Sequence, residues 1–489
     1  MKLLLLIAAL AGVLPAGAGA GEPVSPWSLP PEGSCAPQGG LAGWPVGEDA
    51  PPVAFEPGDR IDIEHAPVLR NYLPPEIWEH RDRFFFEGMT LEVGPCFRDY
   101  SPPAFFGEAT EKFRGRAKLL GNGGLAGHTA GLPFAPDAID PADARAGQRW
   151  AWNVQARYRA GGFRGRFRIS DLIGRVGVAE PFEGEIFQNQ LAHRADRAKD
   201  GYRVPDTGTR AWIAGGRFFT PFRAREFAWL QYRDVENAQD PGLSDDLHLY
   251  LPTLRKVRRA PAHGVEGLFM PGFAVGVEVV ASSAAVGIGN VGGLGDVGAG
   301  GVPNSIEPKR SGFEMLEMRP LLYEYQVLGV QDLLAPLNST SPAYPEEELR
   351  SFGPHGLSWA SDRWDLRRAL VLEGTRREAT DTPGELAKLR LWVDLQTLYP
   401  LYYVSYDRRG EQIDVGYFAG RWSGDRDDYP EWPGAAGREA RVIDPVGAGF
   451  ANLRLRGSWR RESWDVVSTP QTDKQTRRSL SIRSLQKGR

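Results

Sequence analysis

The chain has 489 residues and is close to electrically balanced, with 58 Lys or Arg against 62 Asp or Glu. This balance gives no reason to expect a nucleic-acid partner, since nucleic-acid-binding proteins usually carry a marked basic excess. Hydrophobic residues make up 42% of the chain. That content is typical of a folded, water-soluble protein and argues against an intrinsically disordered one.

The first twenty residues predict a cleaved export signal. Lys2 supplies a short positive start, residues 3–14 are apolar, and Ala18-Gly19-Ala20 has the small-x-small pattern of a cleavage site. Farther on, the longest weakly charged stretch, residues 273–295, is broken repeatedly by glycine and is not dense enough in apolar residues to span a bilayer. The sequence therefore predicts an exported protein of the periplasm, soluble or peripherally associated with the outer membrane.

Residues 21–57 are rich in proline and glycine and show no periodicity. They predict an extended arm over the surface rather than a domain. The chain has two cysteines, Cys35 in this arm and Cys96 beyond it, and an exported chain most simply pairs them as a disulfide. Two free buried thiols are the alternative. After the arm, Pro74-Pro75 followed by acidic residues predicts a short helix.

The stretch from Arg149 to Ser170 alternates between apolar and polar residues and predicts an amphipathic β-hairpin. A turn at Ala160-Gly161-Gly162 would join its two strands. One face would be aromatic and the other rich in arginine. An aromatic face must be covered by protein or by a hydrophobic ligand. The candidate ligand-binding residues are Trp150, Trp152, Tyr158, Phe163 and Phe167, with a role in the packed core as the alternative.

The later segments predict an antiparallel sheet of many strands. The expected strands are residues 247–251, 254–259, 364–376, 389–395, 401–406 and 412–418. The loop Asp407-Arg408-Arg409-Gly410 favours a tight turn because a glycine ends it. Between these groups, residues 272–304 predict a flexible glycine-rich insertion. We interpret it as a disordered surface loop, with a mobile lid over an apolar groove as the alternative.

Basic residues form two groups that could contact anionic lipid head groups or an acidic patch on a transporter. The candidates are Arg164, Arg166, Arg255, Lys256, Arg258 and Arg259. The alternative is an exposed strand edge that charge keeps soluble. The tail, residues 471–489, is also basic, and we expect it to be disordered.

The common catalytic and metal-binding signatures are absent from the sequence. There is no Gly-x-Ser-x-Gly elbow, no His-Glu-x-x-His helix and no phosphate-binding loop. The seven histidines are scattered without the spacing of metal ligands. Asp425, Asp427 and Asp428 could hold calcium, but Arg426 among them favours a solvated loop. We therefore expect no enzymatic activity, no cofactor and no metal.

Several segments in combination resemble the domain-of-unknown-function family 1329. The resemblance extends over about residues 55–425, nearly the whole chain that follows the arm. The chain departs from the family pattern in its long arm, its glycine-rich insertion and Ala135, where the family tends to have a second proline. The matching segments are Ala130-Gly131-Leu132-Pro133-Phe134, Asp140-Pro141, Trp152-Asn153, Asp245 to Pro252, Arg255 to Arg259, Tyr323 to Gly329, Ala335 to Asn338, Trp364 to Arg368, Trp392 to Asp394 and Tyr406-Asp407.

The resemblance implies an exported protein similar to the outer-membrane lipoprotein-sorting proteins LolA and LolB. It implies a mainly β fold, a strongly curved antiparallel sheet that forms a half-barrel with a few short helices, here as one domain over residues 58–470. Members of the family are commonly encoded beside resistance-nodulation-division-type lipid exporters. We therefore expect a periplasmic carrier or acceptor of a hydrophobic molecule, in particular a lipid, that works with such an exporter and an outer-membrane partner. A scaffold that docks on a membrane partner without holding a ligand is the alternative.

Overall fold

A computed structural model describes most of the chain. The described residues are 27–35, 55–173, 177–178, 181–222, 224–261, 267–271, 316–340, 362–377, 386–427, 429–430, 440–454 and 458–486. The predicted export signal, the glycine-rich insertion and most of the predicted arm lie outside these residues.

The protein is mainly β. One sheet contains 16 strands, and two short strands pair separately. The strands are β1 (Arg60–Ile61), β2 (Leu91–Cys96), β3 (Lys118–Leu119), β4 (Leu125–Ala126), β5 (Gly162–Ile173), β6 (Gly177–Val178), β7 (Phe182–Gln190), β8 (Arg210–Thr220), β9 (Ala228–Asp234), β10 (Asp246–Leu251), β11 (Lys256–Pro261), β12 (Tyr323–Ala335), β13 (Arg363–Arg376), β14 (Lys388–Asp394), β15 (Pro400–Tyr406), β16 (Gln412–Trp422), β17 (Ile443–Asn452) and β18 (Ser458–Val467).

The large sheet consists of two antiparallel meanders that meet at one seam. The strands from β12 to β18 pair in chain order, and so do β5 and β7 to β11. The seam is the antiparallel pair of β18 with β5, where Trp464 lies opposite Phe167. Among the described strands, the pair of β2 with β13 is the one parallel pair. Within the described chain β11 and β12 do not pair, so the sheet is unclosed.

The sheet is bent sharply in its C-terminal meander. Tyr402 on β15 donates a hydrogen bond to the backbone oxygen of Leu334 on β12, although two strands lie between them in the sheet order. In a flat sheet these strands would be about 14 Å apart. A tyrosine side chain cannot span that gap, so the sheet must curve, as the resemblance implied. The main hydrophobic core includes residues of both meanders.

The described residues contain five α-helices, and all of them are short. They are α1 (Pro75–Glu79), α2 (Ala104–Lys112), α3 (Ala146–Gln155), α4 (Asp473–Ser479) and α5 (Arg483–Gln486). The prediction of a hairpin from Arg149 was wrong in its first half, because residues 149–155 belong to α3. Residues on several sides of α3 are buried, including the polar Gln148 and Asn153, so it is not a surface helix with one exposed polar face. The second predicted strand is present as β5.

The described part of the arm, residues 27–35, is fixed to the domain at several points. A disulfide joins Cys35 to Cys96 at the end of β2, as the cysteine count predicted. The indole N–H of Trp27 donates to the backbone oxygen of Ile139 at 2.8 Å. Its ring also meets Trp150 edge-on, with 5.3 Å between ring centroids. This part of the arm therefore belongs to the packed structure.

Replacing both cysteines by serine is expected to lower the free energy of unfolding by about 4 kcal/mol. The disulfide closes a long loop, since its cysteines are 61 residues apart in the sequence, and it lowers the entropy of the unfolded chain. Denaturant unfolding of the oxidised protein and the double variant measures the difference. Reduced wild-type protein is the control and should match the variant. Equal stability of oxidised and reduced protein would show that the bond contributes nothing.

The prediction of a disordered tail was wrong for residues 473–486. Thr472 begins α4 with a capping box, in which its hydroxyl and the Gln475 side chain each bond the other's backbone N–H. Leu485 on α5 is buried in a second hydrophobic cluster with residues of β8 and β9, and α5 also contacts β10 and β11. The tail thus covers a face of the N-terminal meander.

Candidate functional site

The main candidate site is a cavity of about 360 Å³ with a mostly apolar wall. It lies between α2, the segment that joins α3 to β5, the β14–β15 turn and the start of β17. Its volume falls within the range of small-molecule sites in proteins. The apolar lining residues are Pro102, Phe106, Leu132, Pro136, Tyr158, Phe163, Leu316, Leu398, Tyr399, Val442, Ile443 and Pro445.

One wall depends on a close contact between α2 and the segment 130–134. The Thr110 hydroxyl donates to the backbone oxygen of Phe106 and accepts from the backbone N–H of Leu132 at 2.8 Å. Gly131 has φ of +72°, and a Cβ there would lie 2.4 Å from the Thr110 nitrogen. Only glycine permits both this conformation and this approach. The segment that carries part of the family resemblance thus holds Leu132 at the cavity wall.

A second wall is the turn between β14 and β15. Asp394 is fully buried and accepts from the Thr397 backbone N–H and hydroxyl, each at 2.8 Å. Arg367 forms an ion pair with the same carboxylate at 2.7 Å. The turn places Leu398 in the left-handed region, with φ of +57°, which is unusual for leucine. This network presents Leu398 and Tyr399 to the cavity.

Two buried arginines follow α3, and both line the cavity. Arg157 donates to the backbone oxygens of Val154 at 3.0 Å and Leu316 at 2.7 Å. Burial lowers the pKa of Arg157 to about 10. Burial and the charges of Arg157 and Arg233 also lower the pKa of Arg159, while its ion pair with Glu317 favours the charged form.

Glu317 is fully buried and organises the segment that enters β12. Its carboxylate pairs with Arg159 and accepts hydrogen bonds from the side chains of Gln155 and Gln188. The next residue, Met318, donates its backbone N–H to Gln155 at 2.5 Å. A buried carboxylate needs such partners, because its desolvation is costly. The network fixes residues 316–318 inside the molecule.

A second cavity, of about 330 Å³, shares Arg159 with the first and has a more polar wall. His128 and His193 stack there with 4.3 Å between ring centroids. Burial lowers the pKa of His128 to about 3, and the neighbouring His193 acts in the same direction. Both rings donate to backbone oxygens, His128 to that of Gly131 and His193 to that of Thr129. His128 is therefore neutral at pH 7 and has a structural role.

The structure separates the five aromatic residues that the predicted hairpin brought together. Tyr158 and Phe163 line the apolar cavity. Trp150 and Phe167 are fully buried in the main core. Trp152 lines the polar cavity and donates its indole N–H to the backbone oxygen of Gly123 at 2.9 Å. The prediction of one shared aromatic face was wrong, because Trp150 and Trp152 lie on a helix.

The two basic groups do not form one surface. Arg164 and Arg166 are exposed on β5, and Arg166 has Glu185 and Asp465 as cross-strand neighbours. Arg255 lies in the turn before β11, whose described strand partner is β10. Lys256, Arg258 and Arg259 lie on β11. The two strands are five strand spacings apart in the sheet order, about 24 Å along the sheet.

Sequence reasoning did not identify Arg157, Arg159 and Glu317 as site residues.

Asp425, a candidate calcium ligand, instead pairs with Arg98 at 2.6 Å. The part of the chain that the structure describes contains no group of three or more His, Cys, Asp or Glu that could hold a metal. Nor do the described residues include a helix that is both long and apolar enough to cross a membrane.

The fold and the site define a mainly β protein with an unclosed, curved sheet and a mostly apolar cavity. The chain belongs to the family described as Protein of unknown function (DUF1329), whose model matches residues 70–272 and 311–420. The resemblance inferred from the sequence is thus confirmed. A search of curated proteins gives no match.

Solved structures show remote similarity. A domain assigned to outer-membrane lipoprotein sorting in Vibrio parahaemolyticus is 15% identical, with a TM-score of 0.38, over 71% of this chain and 100% of that one. A DUF1329 family protein from Desulfovibrio piger is 14% identical, with a TM-score of 0.38, over 71% and 99%. A LolA superfamily protein from Nitrosomonas europaea is 13% identical, with a TM-score of 0.29, over 66% and 92%.

Proposed function

We propose that this protein is a non-catalytic periplasmic carrier or acceptor of a hydrophobic molecule, a lipid, and that it works with an envelope lipid exporter. The observation that carries the proposal is the apolar cavity between α2 and the β14–β15 turn. Tyr158 and Phe163 are the predicted ligand-binding residues that line it. The disulfide supports an oxidising compartment such as the periplasm. The support for an exporter partner is the family resemblance.

Burial gives the carrier its physical mechanism. Each methylene removed from water contributes about 0.8 kcal/mol, so a hydrocarbon chain held in the cavity is strongly favoured over one in the aqueous periplasm. The cavity wall includes the exposed Gly107 of α2, which places part of the rim at the surface. A ligand therefore has a route between the cavity and solvent or a partner protein.

Native mass spectrometry with solvent extraction, on protein purified from its own periplasm without detergent, is the direct test. A co-purifying lipid in stoichiometric amount supports the carrier and identifies its ligand. Protein that arrives empty and also fails to take up added lipids would contradict the proposal. That result would favour the alternative function, a scaffold that docks on a membrane partner without holding a ligand.

Gly107→Trp is expected to reduce lipid uptake about tenfold or more by filling the cavity at its rim. A Cβ at Gly107 would meet no atom within 4 Å, so the helix can accept the new side chain. A loss of about 1.4 kcal/mol in binding gives the tenfold change. Equilibrium binding of a radiolabelled lipid measures it.

Glu108→Trp is the matched control. Glu108 is the next residue on α2, is exposed and does not line the cavity, so uptake should stay at the wild-type level. Equal uptake by both variants would place the lipid elsewhere on the protein.

A further inference from the structure

We propose that the ligand of the apolar cavity is an anionic amphiphile, and that Arg157 binds its negatively charged group. This inference rests on the proposed function and specifies its substrate class. It requires the cavity to distinguish a charged head group from a neutral one on the same hydrocarbon chain.

The first argument is the charge of Arg157. The residue is 5% exposed, yet in the described chain no carboxylate lies within ion-pair distance of it. Four other buried arginines have such a partner. They are Arg159 with Glu317, Arg194 with Asp196, Arg233 with Asp245 and Arg367 with Asp394. A buried charge without a counter-ion is unfavourable. An anion that pairs with Arg157 therefore gains a large favourable contribution to its binding free energy.

The second argument is the donor count. Within the described chain, Arg157 donates hydrogen bonds to two backbone oxygens, those of Val154 and Leu316. A guanidinium has further N–H donors in a planar fork that matches a carboxylate or a phosphate. The carbonyl oxygens hold the group in place and leave donors for a ligand. The lowered pKa of about 10 still leaves Arg157 protonated at neutral pH.

The third argument is the position of Arg157 in the cavity. It lines the same cavity as Phe163, Leu316 and Leu398. A mostly apolar cavity with one charged anchor is the usual arrangement for an amphiphile, in which the apolar wall contributes affinity and the anchor fixes orientation. The cavity's own carboxylate, Glu111, forms an ion pair with Arg114 at 2.6 Å, so Arg114 partly offsets its repulsion of an anion.

The test compares ligands that share one chain and differ in head group: palmitate, hexadecyl phosphate and hexadecanol. Each is titrated, below the concentration at which it aggregates, into delipidated protein at neutral pH. Wild-type protein should bind palmitate about 10- to 100-fold tighter than hexadecanol, because hydrogen bonds to charged groups are stronger than neutral ones. Hexadecyl phosphate shows whether a phosphate serves as well as a carboxylate. Equal affinities for the charged and neutral ligands would overturn the inference.

Arg157→Met should bring the ratio of palmitate to hexadecanol affinity close to one, and Arg157→Lys should retain part of the preference. Arg149→Met is the control, since Arg149 pairs with Asp143 at 2.5 Å and lines neither cavity. A preference that persists in a folded Arg157→Met protein would refute the role of Arg157. If that variant does not fold, the wild-type comparison decides. Failure of all three ligands to bind wild-type protein would instead count against the carrier function.

Discussion

Glu317→Ala is expected to lower the free energy of unfolding by about 3–5 kcal/mol. The substitution leaves the buried Arg159 without its carboxylate partner, and breaking one side of a buried ion pair typically has this effect. It also removes the acceptor for the side chains of Gln155 and Gln188. Denaturant unfolding followed by tryptophan fluorescence measures the loss.

A double variant separates the cost of an orphaned charge from the cost of lost packing. In Arg159→Met with Glu317→Leu, both charges are replaced by apolar side chains of similar size, and much of the stability should return. A double variant as unstable as Glu317→Ala would show that the network's hydrogen bonds, rather than the unpaired charge, determine the loss.

Trp150→Ala is expected to lower the free energy of unfolding by about 3–5 kcal/mol, while binding in the apolar cavity persists at conditions where the variant is folded. Trp150 is fully buried, and removal of a large aromatic side chain leaves a void that its surroundings fill only in part. It packs against Trp27 of the arm and does not line the apolar cavity. Unfolding and lipid-binding titrations on the same preparation give both quantities.

Trp150→Phe is the conservative control and should retain most of the stability. If Trp150→Ala were as stable as wild type but bound no lipid, Trp150 would be a ligand-contact residue, as the hairpin interpretation predicted.

The C-terminal meander was the most predictable part of the fold. The predicted strands at 389–395, 401–406 and 412–418 correspond to β14, β15 and the first part of β16. Their regular spacing and the turn ending at Gly410 provided clear local signals. The strand predicted at 364–376 corresponds to β13, within one residue at its start.

The error at α3 has a physical cause. Trp150, Trp152 and Val154 alternate with Arg149, Ala151, Asn153 and Gln155, of which all but Ala151 are polar, and that spacing favours a strand. In the structure the polar residues Gln148 and Asn153 are buried as well, each with hydrogen bonds to backbone groups of neighbouring segments. Tertiary contacts therefore decide the secondary structure of this segment, against the strand that its two-residue alternation favours. The tail differs, because Thr472 and Gln475 have the spacing of a capping box and could have indicated α4.

The candidate site was only partly predictable. The sequence identified Tyr158 and Phe163 as candidate ligand-binding residues, and both line the cavity. Arg157 was assigned to the polar face of a strand, since charge alone does not reveal burial. Glu317 carries no local signal, because its partners Arg159 and Gln188 are distant in the sequence and meet it only in the folded sheet.

The seam between β18 and β5 has a consequence for how the chain folds. It joins the last strand of one meander to the first strand of the other, so the centre of the sheet requires segments from both ends of the domain. Contacts of such long sequence separation slow folding. Until β18 arrives, β5 and β17 each present an unpaired edge, which is prone to association with other chains. For the exported protein that we propose, this step completes only after β18 has crossed the membrane, and the two half-sheets keep their open edges until then.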